Sequence, residues 1–339
     1  MKLTIDQIKS ICTGAVSVEQ ESDGVHFYRF TREQMTLCQP HAHVYGRKIL
    51  AAAGVRLSFR TDSLTLFLRA TVSQGCIRSY FSFDLAVNGE YMESMDNFSH
   101  LEMPEIQTNL SCAMGEYEKS FDLGPGEKEV CLYFPWSVVS VLQELSVDNG
   151  AFIEPVLPSK KLLAFGDSIT QGFDILRPFH HHVARLARVL GAQEFNKAIG
   201  GTIAFPEMAR MKDEIAPDYI LVGYGTNDWG LSDETFFAQQ YRAMLEAICE
   251  NYPGVPVFAI TPIWRTPIDE IKQMGPFSTM EKNICAIAAD FPDVTVISGL
   301  GLVPHETRYY ADGCLHPNDA GFDHYFQNLW PQIEAALKG

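Results

Sequence analysis

Apolar and polar residues alternate with a period of two through roughly the first 155 residues of the chain. In the segment VRLSFR, Val55, Leu57 and Phe59 alternate with two arginines and a serine. This pattern is typical of a β-strand with one buried face. The alternation recurs in residues 64–70, 81–87 and 130–134, and the turn sequences NG (88–89) and GPG (124–126) lie between such segments. Many short strands separated by turns indicate a β-sandwich or a barrel, and we expect a jelly-roll-like all-β sandwich.

The pattern changes in the second half of the chain. Five short apolar segments, LLAFG, EFNKAI, YILVGYG, VPVFAIT and VTVIS, are separated by stretches whose apolar residues have helical spacing, such as residues 237–248, 280–291 and 322–333. Alternating strands and helices predict a parallel sheet covered on both faces. The stretch IEPVLPSKK, residues 153–161, is the predicted boundary. We therefore expect a sandwich domain over residues 1–156 and an α/β domain over residues 157–339, each with its own core.

The formal net charge of -16 over 339 residues argues against two classes of partner. Nucleic acids and anionic membrane surfaces both favour basic patches, so we expect the protein to bind neither. The N-terminal segment MKLTIDQIKSICTG lacks the apolar core of a signal peptide. The eight cysteines form no CxxC pair, which disfavours a zinc or redox site and is typical of free thiols in a reducing compartment. The sequence therefore predicts a cytoplasmic protein and leaves its oligomeric state open.

Polar residues and glycines follow each predicted strand of the second half. The five segments are GDS (166–168), GGT (200–202), GTND (225–228), PIWR (262–265) and DGCLHP (312–317). Because the carboxyl ends of parallel strands meet at one edge of a sheet, we expect these segments to converge. A serine, an aspartate, a histidine and donors for an oxyanion are the groups that acyl transfer requires.

Four of these motifs together resemble the SGNH (GDSL-type) hydrolases. They are GDSIT, the glycine of AIGGT, GTND and the late D…HP, in the order of that family and over about residues 160 to 337. The resemblance implies a three-layer α/β/α fold. It also implies hydrolysis of esters or thioesters by a serine, with no metal and no cofactor.

The resemblance assigns a role to each matching residue. Ser168 is the expected nucleophile, His316 the base and Asp312 the group that orients the imidazole. The expected oxyanion donors are the backbone N–H groups of Ser168 and Gly201 and the side chain of Asn227. Gly200 is the neighbouring alternative to Gly201. We favour Gly201, because it directly precedes Thr202.

The spacing of the acid and the base departs from the family pattern. Most members have D-x-x-H, whereas Asp312 and His316 are separated by three residues, Gly313-Cys314-Leu315. One extra residue can move a carboxylate by up to about 3.3–3.6 Å. Either the loop bulges at Gly313 and Asp312 still reaches Nδ1 of His316, or the site works without the acid. We favour the bulge, because glycine adopts unusual backbone conformations readily.

Other candidate residues have simpler interpretations. His180, His181 and His182 are consecutive and point in different directions on a helix, so we expect a solvated or pocket-lining surface and no metal site. Trp264 and Arg265 follow the fourth strand and are candidates for substrate binding, or the tryptophan only packs.

The sequence thus predicts a two-domain serine ester hydrolase. A sandwich before an SGNH domain resembles the two-domain carbohydrate esterases, which favours a short acyl group, such as acetyl, on a carbohydrate or a small alcohol as the substrate. A thioesterase or lipase-like acylhydrolase is the alternative enzyme. The alternative without catalysis is a sugar-binding protein with a relic site, which would have lost Ser168, Asn227 or His316.

Overall fold

Two antiparallel sheets form the first part of the protein in a computed structural model, which describes residues 1–39, 46–212 and 214–338. One sheet has the order β1-β4-β9-β6-β7 with β11 beside β4, and the other has the order β2-β3-β10-β5-β8. Their strands are β1 (Cys12–Thr13), β2 (Ser17–Glu21), β3 (Gly24–Tyr28), β4 (Arg56–Thr61), β5 (Thr65–Gln74), β6 (Ser82–Val87), β7 (Glu90–Asp96), β8 (Gly115–Asp122), β9 (Lys128–Tyr133), β10 (Val138–Val147) and β11 (Glu154–Pro155). Helices Ile5–Ile11 and Arg32–Cys38 also belong to this part.

A five-stranded parallel sheet organises the second part. Its order is β13-β12-β14-β15-β18, and the strands are β12 (Lys160–Gly166), β13 (Ala192–Asn196), β14 (Tyr219–Gly223), β15 (Val257–Ile260) and β18 (Val294–Ile297). A two-stranded ribbon, β16 (Ile271–Lys272) and β17 (Gly275–Pro276), lies outside it. The helices are Ser168–Gln171, His182–Val189, Pro206–Arg210, Asp228–Leu231, Glu234–Asn251, Ser278–Ala288 and Asp319–Lys338.

Successive residues of the central strand β12 point to opposite faces of this sheet, as the strand period requires. Leu163 packs in a cluster with the helices Glu234–Asn251 and Ser278–Ala288, whereas Leu162 packs with the helices His182–Val189 and Asp319–Lys338. The predicted fold class is therefore confirmed: a three-layer α/β/α domain with a parallel sheet, preceded by an all-β sandwich.

Local sequence explains why the predicted sandwich turns form. Asn88 and Gly89 have φ values of 52° and 85° and join β6 to β7, which is the conformation that an Asn-Gly hairpin turn adopts. Val55, Leu57 and Phe59 are fully buried inside the sandwich, as their alternation predicts. Arg56, which the alternation places on the outer face, is nevertheless only 6 % exposed, because its guanidinium lies against Ala192 in the second part.

The two parts share much of their packing. One hydrophobic cluster of the described residues lies within the sandwich, whereas three others combine residues of both parts. Phe30 joins the core on one face of the parallel sheet, and Tyr80 and Trp136 join the core on the other. The cores on the two faces of the parallel sheet are thus shared between the parts, whereas the interior of the sandwich has a cluster of its own. The assignment of residues 1–156 and 157–339 as two domains stays a prediction.

No helix within the described ranges combines the length and the apolarity that crossing a membrane requires.

Candidate active site

Ser168 lies directly after the central strand β12. It begins the short helix Ser168–Gln171, and the side chain of Asp167 caps this helix by accepting the N–H of Ile169 at 2.9 Å. Gly166 leaves no room for a side chain, because a Cβ there would lie 2.3 Å from the hydroxyl of Thr170. Burial raises the pKa of Asp167 to about 7, against the opposing effects of the Ile169 N–H and of His316. The turn thus places the Ser168 hydroxyl at a helix start, where backbone N–H groups favour negative charge.

The hydroxyl of Ser168 and two side chains from the far end of the sequence form a continuous chain. Ser168 Oγ lies 2.8 Å from His316 Nε2, and His316 Nδ1 lies 2.8 Å from Asp312 Oδ2. Because an ionised carboxylate only accepts hydrogen bonds, the ring proton is on Nδ1 and is donated to Asp312. Nε2 is then the acceptor for the Ser168 hydroxyl, which is the arrangement that a serine nucleophile and its base require.

The loop between the acid and the base accommodates its extra residue at Gly313. The φ of Gly313 is 71°, in the left-handed region that favours glycine, as expected for a bulge. Asp312 Oδ1 accepts the backbone N–H groups of Cys314, Leu315 and His316 at 2.9, 2.7 and 3.1 Å. Burial by itself would raise the pKa of Asp312, but the contact with His316 and the loop N–H groups outweigh it and hold this pKa well below its usual value. Asp312 is therefore a fixed, ionised partner for His316.

The two neighbouring glycines after β13 differ in how their N–H groups are used. The N–H of Gly200 donates to Gln171 Oε1 at 2.7 Å, whereas the structure gives the N–H of Gly201 no partner within the described part of the chain. A Cβ on Gly200 would lie 2.6 Å from the ring of Phe173. Lys48 Nζ, from the sandwich part, donates to the carbonyl oxygen of Gly200 at 2.7 Å. Because C=O and N–H point in opposite directions in a trans peptide, this contact orients the N–H of Gly201.

Asn227 follows β14 at the same edge of the sheet. Its Nδ2 donates one hydrogen to the carbonyl oxygen of Thr202 at 2.9 Å, which fixes the amide and leaves its second N–H for another acceptor. The next residue, Asp228, begins the helix Asp228–Leu231 and accepts the N–H of Ala204 at 3.0 Å. Burial raises the pKa of Asp228 to about 7. Asp228 thus supports the loop, as a structural residue.

Trp264 and Arg265 follow β15 and are both half-buried. The ring of Trp264 stacks on His305, with centroids 5.5 Å apart, and packs against Tyr310. Arg265 Nη1 donates to the carbonyl oxygen of Thr226 at 3.2 Å, which places the guanidinium beside the Asn227 loop. The structure thus brings Arg265 next to the other candidate residues, and Trp264 already has aromatic partners.

The expectation of a solvated or pocket-lining surface at residues 180–182 is wrong for two of the three histidines. His181 and His182 are 5 % and 0 % exposed. His182 stacks on Tyr325 of the last helix, with centroids 4.1 Å apart, and His181 Nε2 lies 3.1 Å from the carbonyl oxygen of Ile169. Burial lowers the pKa of His181 to about 4. These rings pack as neutral core residues because the final helix covers them.

Sequence reasoning missed one carboxylate of the site. Asp174 is fully buried, and its Oδ2 lies 3.4 Å from His316 Nδ1. Arg78 and Tyr80 of the sandwich part hold its carboxylate at 2.6 and 2.5 Å. The only available signal was the final letter of GDSITQGFD, because the partners of Asp174 lie more than 90 residues earlier in the chain.

Among the residues that the structure describes, two groups of side chains have the spacing of metal ligands. One is exposed and consists of Glu21, Asp23 and His26; the other is formed by Asp174, Asp312 and His316. In the second group the carboxylates are already engaged by a guanidinium and by backbone N–H groups. A cation there would have to displace these donors, so the arrangement suits proton transfer better than metal binding.

The domain has an α/β/α fold and places a serine, an imidazole and a carboxylate in line at the carboxyl edge of its sheet, and these are the groups that acyl transfer from an ester requires. Residues 164–324 match the model of the GDSL-like Lipase/Acylhydrolase family, and this part of the chain is a domain of that family. The matched segment contains Ser168, Asn227 and His316, and it indicates that the protein is an ester hydrolase. No curated protein matches the chain in sequence.

Solved structures share the fold over nearly the whole chain. The salicylyl-acyltransferase SsfX3 from a tetracycline biosynthetic pathway has a TM-score of 0.79 and 21% identity, with 96% of this chain and 94% of that chain covered. A putative GDSL-like lipase from Bacteroides ovatus has a TM-score of 0.78 and 20% identity, with 100% and 98% covered. A family two carbohydrate esterase from Cellvibrio japonicus has a TM-score of 0.66 and 15% identity, with 100% and 98% covered.

Proposed function

We propose that Ser168 is the nucleophile of this hydrolase, that His316 is its general base and that Asp312 orients the imidazole. The observation that carries the proposal is the unbroken pair of 2.8 Å contacts from Ser168 Oγ through the ring of His316 to Asp312. The three-point attachment of Asp312 Oδ1 supports it, because a fixed carboxylate holds the ring in one tautomer.

In the first step, Ser168 Oγ attacks the carbonyl carbon of the ester while its proton passes to His316 Nε2. The resulting imidazolium gives this proton to the oxygen of the leaving alcohol, and an acyl-enzyme remains. A water molecule then loses a proton to Nε2 and attacks the acyl carbon. Ser168 leaves and regains its proton from the imidazolium, so the enzyme is restored.

The negative oxygen of both tetrahedral intermediates needs donors that are already in place. The N–H groups of Ser168 and Gly201 and the second side-chain N–H of Asn227 are the three candidates. Their support is that Gln171, Lys48 and Thr202 hold the surrounding peptide groups and the amide. Donors that need no reorganisation lower the barrier more than donors that must first move.

For the substrate we propose a short acyl ester, such as acetyl, on a carbohydrate or a small alcohol. The shared architecture with a family two carbohydrate esterase supports this, as an analogy of fold. Trp264 and Arg265 are the candidates for contact with the alcohol part, because an aromatic ring and a guanidinium both suit hydroxyl-rich ligands. Helices Glu234–Asn251 and Ser278–Ala288 pack their apolar faces into the core, which leaves those faces unavailable for a long acyl chain.

A hydrolysis panel tests this proposal. Purified protein is assayed against acetyl, butyryl and longer aryl esters, and then against acetylated sugars. We expect kcat/KM to be highest for the acetyl esters and acetate to be released from acetylated sugars. A preference for long acyl chains or for thioesters would instead support the acylhydrolase alternative. Hydrolysis of no ester would overturn the proposed function.

Asn227→Ala tests the oxyanion assignment. We expect kcat to fall about 10²–10³-fold with little change in KM, because the bond to the oxygen strengthens only in the transition state. Asn251→Ala is a suitable control, since Asn251 donates to Ala209 at the end of a distant helix. An increase in KM with unchanged kcat would mean that Asn227 only binds the substrate.

We also propose that the protein works in the cytoplasm. All eight cysteines are free thiols, and free cysteines persist most readily in a reducing compartment.

A further inference from the structure

Two carboxylates face the same nitrogen of His316. Asp312 Oδ2 lies 2.8 Å from Nδ1, and Asp174 Oδ2 lies 3.4 Å from it. Asp312 belongs to the D…HP motif, whereas Asp174 belongs to the segment that follows the Ser168 helix. Asp174 is completely buried, so its charge acts on the ring with little screening by water.

Asp174 has an unusual backbone conformation. The φ of Asp174 is 71°, in the left-handed region that residues other than glycine rarely adopt. The side chain of Gln107 donates to its carbonyl oxygen at 3.2 Å. An uncommon conformation that the surroundings stabilise is often found at functional sites.

The charge of Asp174 is balanced from the other part of the chain. Arg78 Nε donates to Oδ1 at 2.6 Å and Arg78 Nη2 donates to Oδ2 at 2.9 Å, so the guanidinium binds the carboxylate with two parallel bonds. The hydroxyl of Tyr80 donates to Oδ1 at 2.5 Å. When His316 takes up the proton of Ser168, the charges of Arg78, Asp174, the imidazolium and Asp312 alternate in sign along one row.

We propose that Asp174 and Arg78 are positioning residues that act through His316. This inference rests on the proposed role of His316 as the general base. Asp174 lies beside Asp312 at Nδ1 and adds a second contact that limits rotation of the ring. Arg78 cancels most of the charge of Asp174, so that the imidazole is influenced by about one net carboxylate. Without this compensation, a second full negative charge beside Nδ1 would favour the imidazolium, and in that form the ring cannot accept the proton of Ser168.

The groups that face His316 come from several elements. Charged or titratable side chains around the ring and its partners are Asp312 and Cys314 from its own loop, Asp167 from the serine turn, Asp174 with Arg78 and Tyr80, and Arg265 from the loop after β15. Among these only Arg78 makes a bidentate contact with a carboxylate that faces Nδ1. Arg78 is therefore the cation whose removal should change the charge at the ring most.

The test uses two variants of the full chain, which we expect to shift the pH profile of kcat/KM in opposite directions. Arg78→Gln leaves Asp174 uncompensated, and we expect the acid limb of the kcat/KM profile to move up by about one pH unit. Asp174→Asn leaves Arg78 without its counter-charge, and we expect the limb to move down by a similar amount. Arg78→Lys keeps the charge and should restore the profile of the wild type to within a few tenths of a unit.

A control separates this effect from the loss of any ion pair between the two parts. Arg177 Nη1 lies 2.6 Å from Asp96 Oδ2 in a pair that is also largely buried. Arg177→Gln should lower the stability but leave the acid limb in place. The proposal would be overturned if the acid limb of the kcat/KM profile stayed in place in both test variants, or if it moved in the same direction in both.

A readout without substrate distinguishes this proposal from the proposed function. The ring signals of His316, assigned by their loss in His316→Gln, are titrated by NMR in the wild type, Arg78→Gln and Asp174→Asn. Opposite displacements of the titration midpoint support the proposal even if no tested ester is hydrolysed. Equal midpoints in the three folded proteins refute it even if the enzyme is active. If Arg78→Gln does not fold, the comparison of Asp174→Asn with the wild type decides. A lower titration midpoint in Asp174→Asn supports the proposal, and an equal or higher midpoint refutes it.

Discussion

Replacing Ser168 by alanine is expected to lower kcat by about 10⁶-fold, to a rate that reflects only the remaining binding and oxyanion groups. The Ser168 hydroxyl lies 2.8 Å from His316 Nε2, and it is the group that we propose forms the acyl intermediate. His316→Ala should cause a loss of similar size, and the double variant should be little worse, because the two groups act as a unit. Steady-state kinetics on an acetyl ester measure all three variants.

Covalent labelling identifies the nucleophile independently of the rate. A serine-directed phosphonate should add its mass to the peptide that contains Ser168, and Ser168→Ala should not be labelled. Ser232 is another buried serine and provides the matched control, so Ser232→Ala should be labelled and active like the wild type. Labelling on a different residue, or equal labelling of Ser168→Ala, would refute the assignment.

Replacing Asp312 by asparagine is expected to lower kcat by about 10³–10⁴-fold. Three backbone N–H groups point at Oδ1, so the amide oxygen of the asparagine should take that position. Its NH₂ group would then face Nδ1 of His316, which forces the ring proton onto Nε2. In that tautomer the ring cannot accept the proton of Ser168, although the shape of the site is retained.

The size of this loss decides between a triad and a dyad. A loss smaller than about tenfold, with His316→Ala still inactive, would show that Asp312 only supports the loop. Asp323→Asn changes an exposed carboxylate that pairs with Arg185 and should leave kcat unchanged. Circular dichroism and thermal unfolding of each variant show whether the fold is retained.

Local patterns were sufficient to predict the fold class and the order of the motifs. The apolar segments of the second half became the parallel strands, because a strand buried on both faces needs a continuous apolar run. Sheet geometry then requires the segments after these strands to meet at one edge, so Ser168, Asn227 and His316 could be placed together. The glycine after Asp312 predicted the bulge, since few other residues adopt a positive φ at low cost.

Such local patterns could not predict contacts between residues that are far apart in the sequence. Arg56 has the sequence position of an outer residue, yet the second part of the chain buries it. The sequence suggests that His181 and His182 belong to a surface cluster, but in the structure the final helix covers both rings. Burial of this kind depends on which elements pack together, and periodicity within one element carries no information about its neighbours.

The pairing of Arg78 with Asp174 and the contact of Lys48 with Gly200 are the most consequential examples. They join residues 96 and 152 positions apart and connect the sandwich to the surroundings of His316 and Gly201. An arginine or a lysine in a strand-rich segment is usually solvated, so neither residue stands out in the sequence. Folding buries Arg78, half-buries Lys48 and places them beside one carboxylate and one peptide group, where an electrostatic interaction is stronger than in solvent.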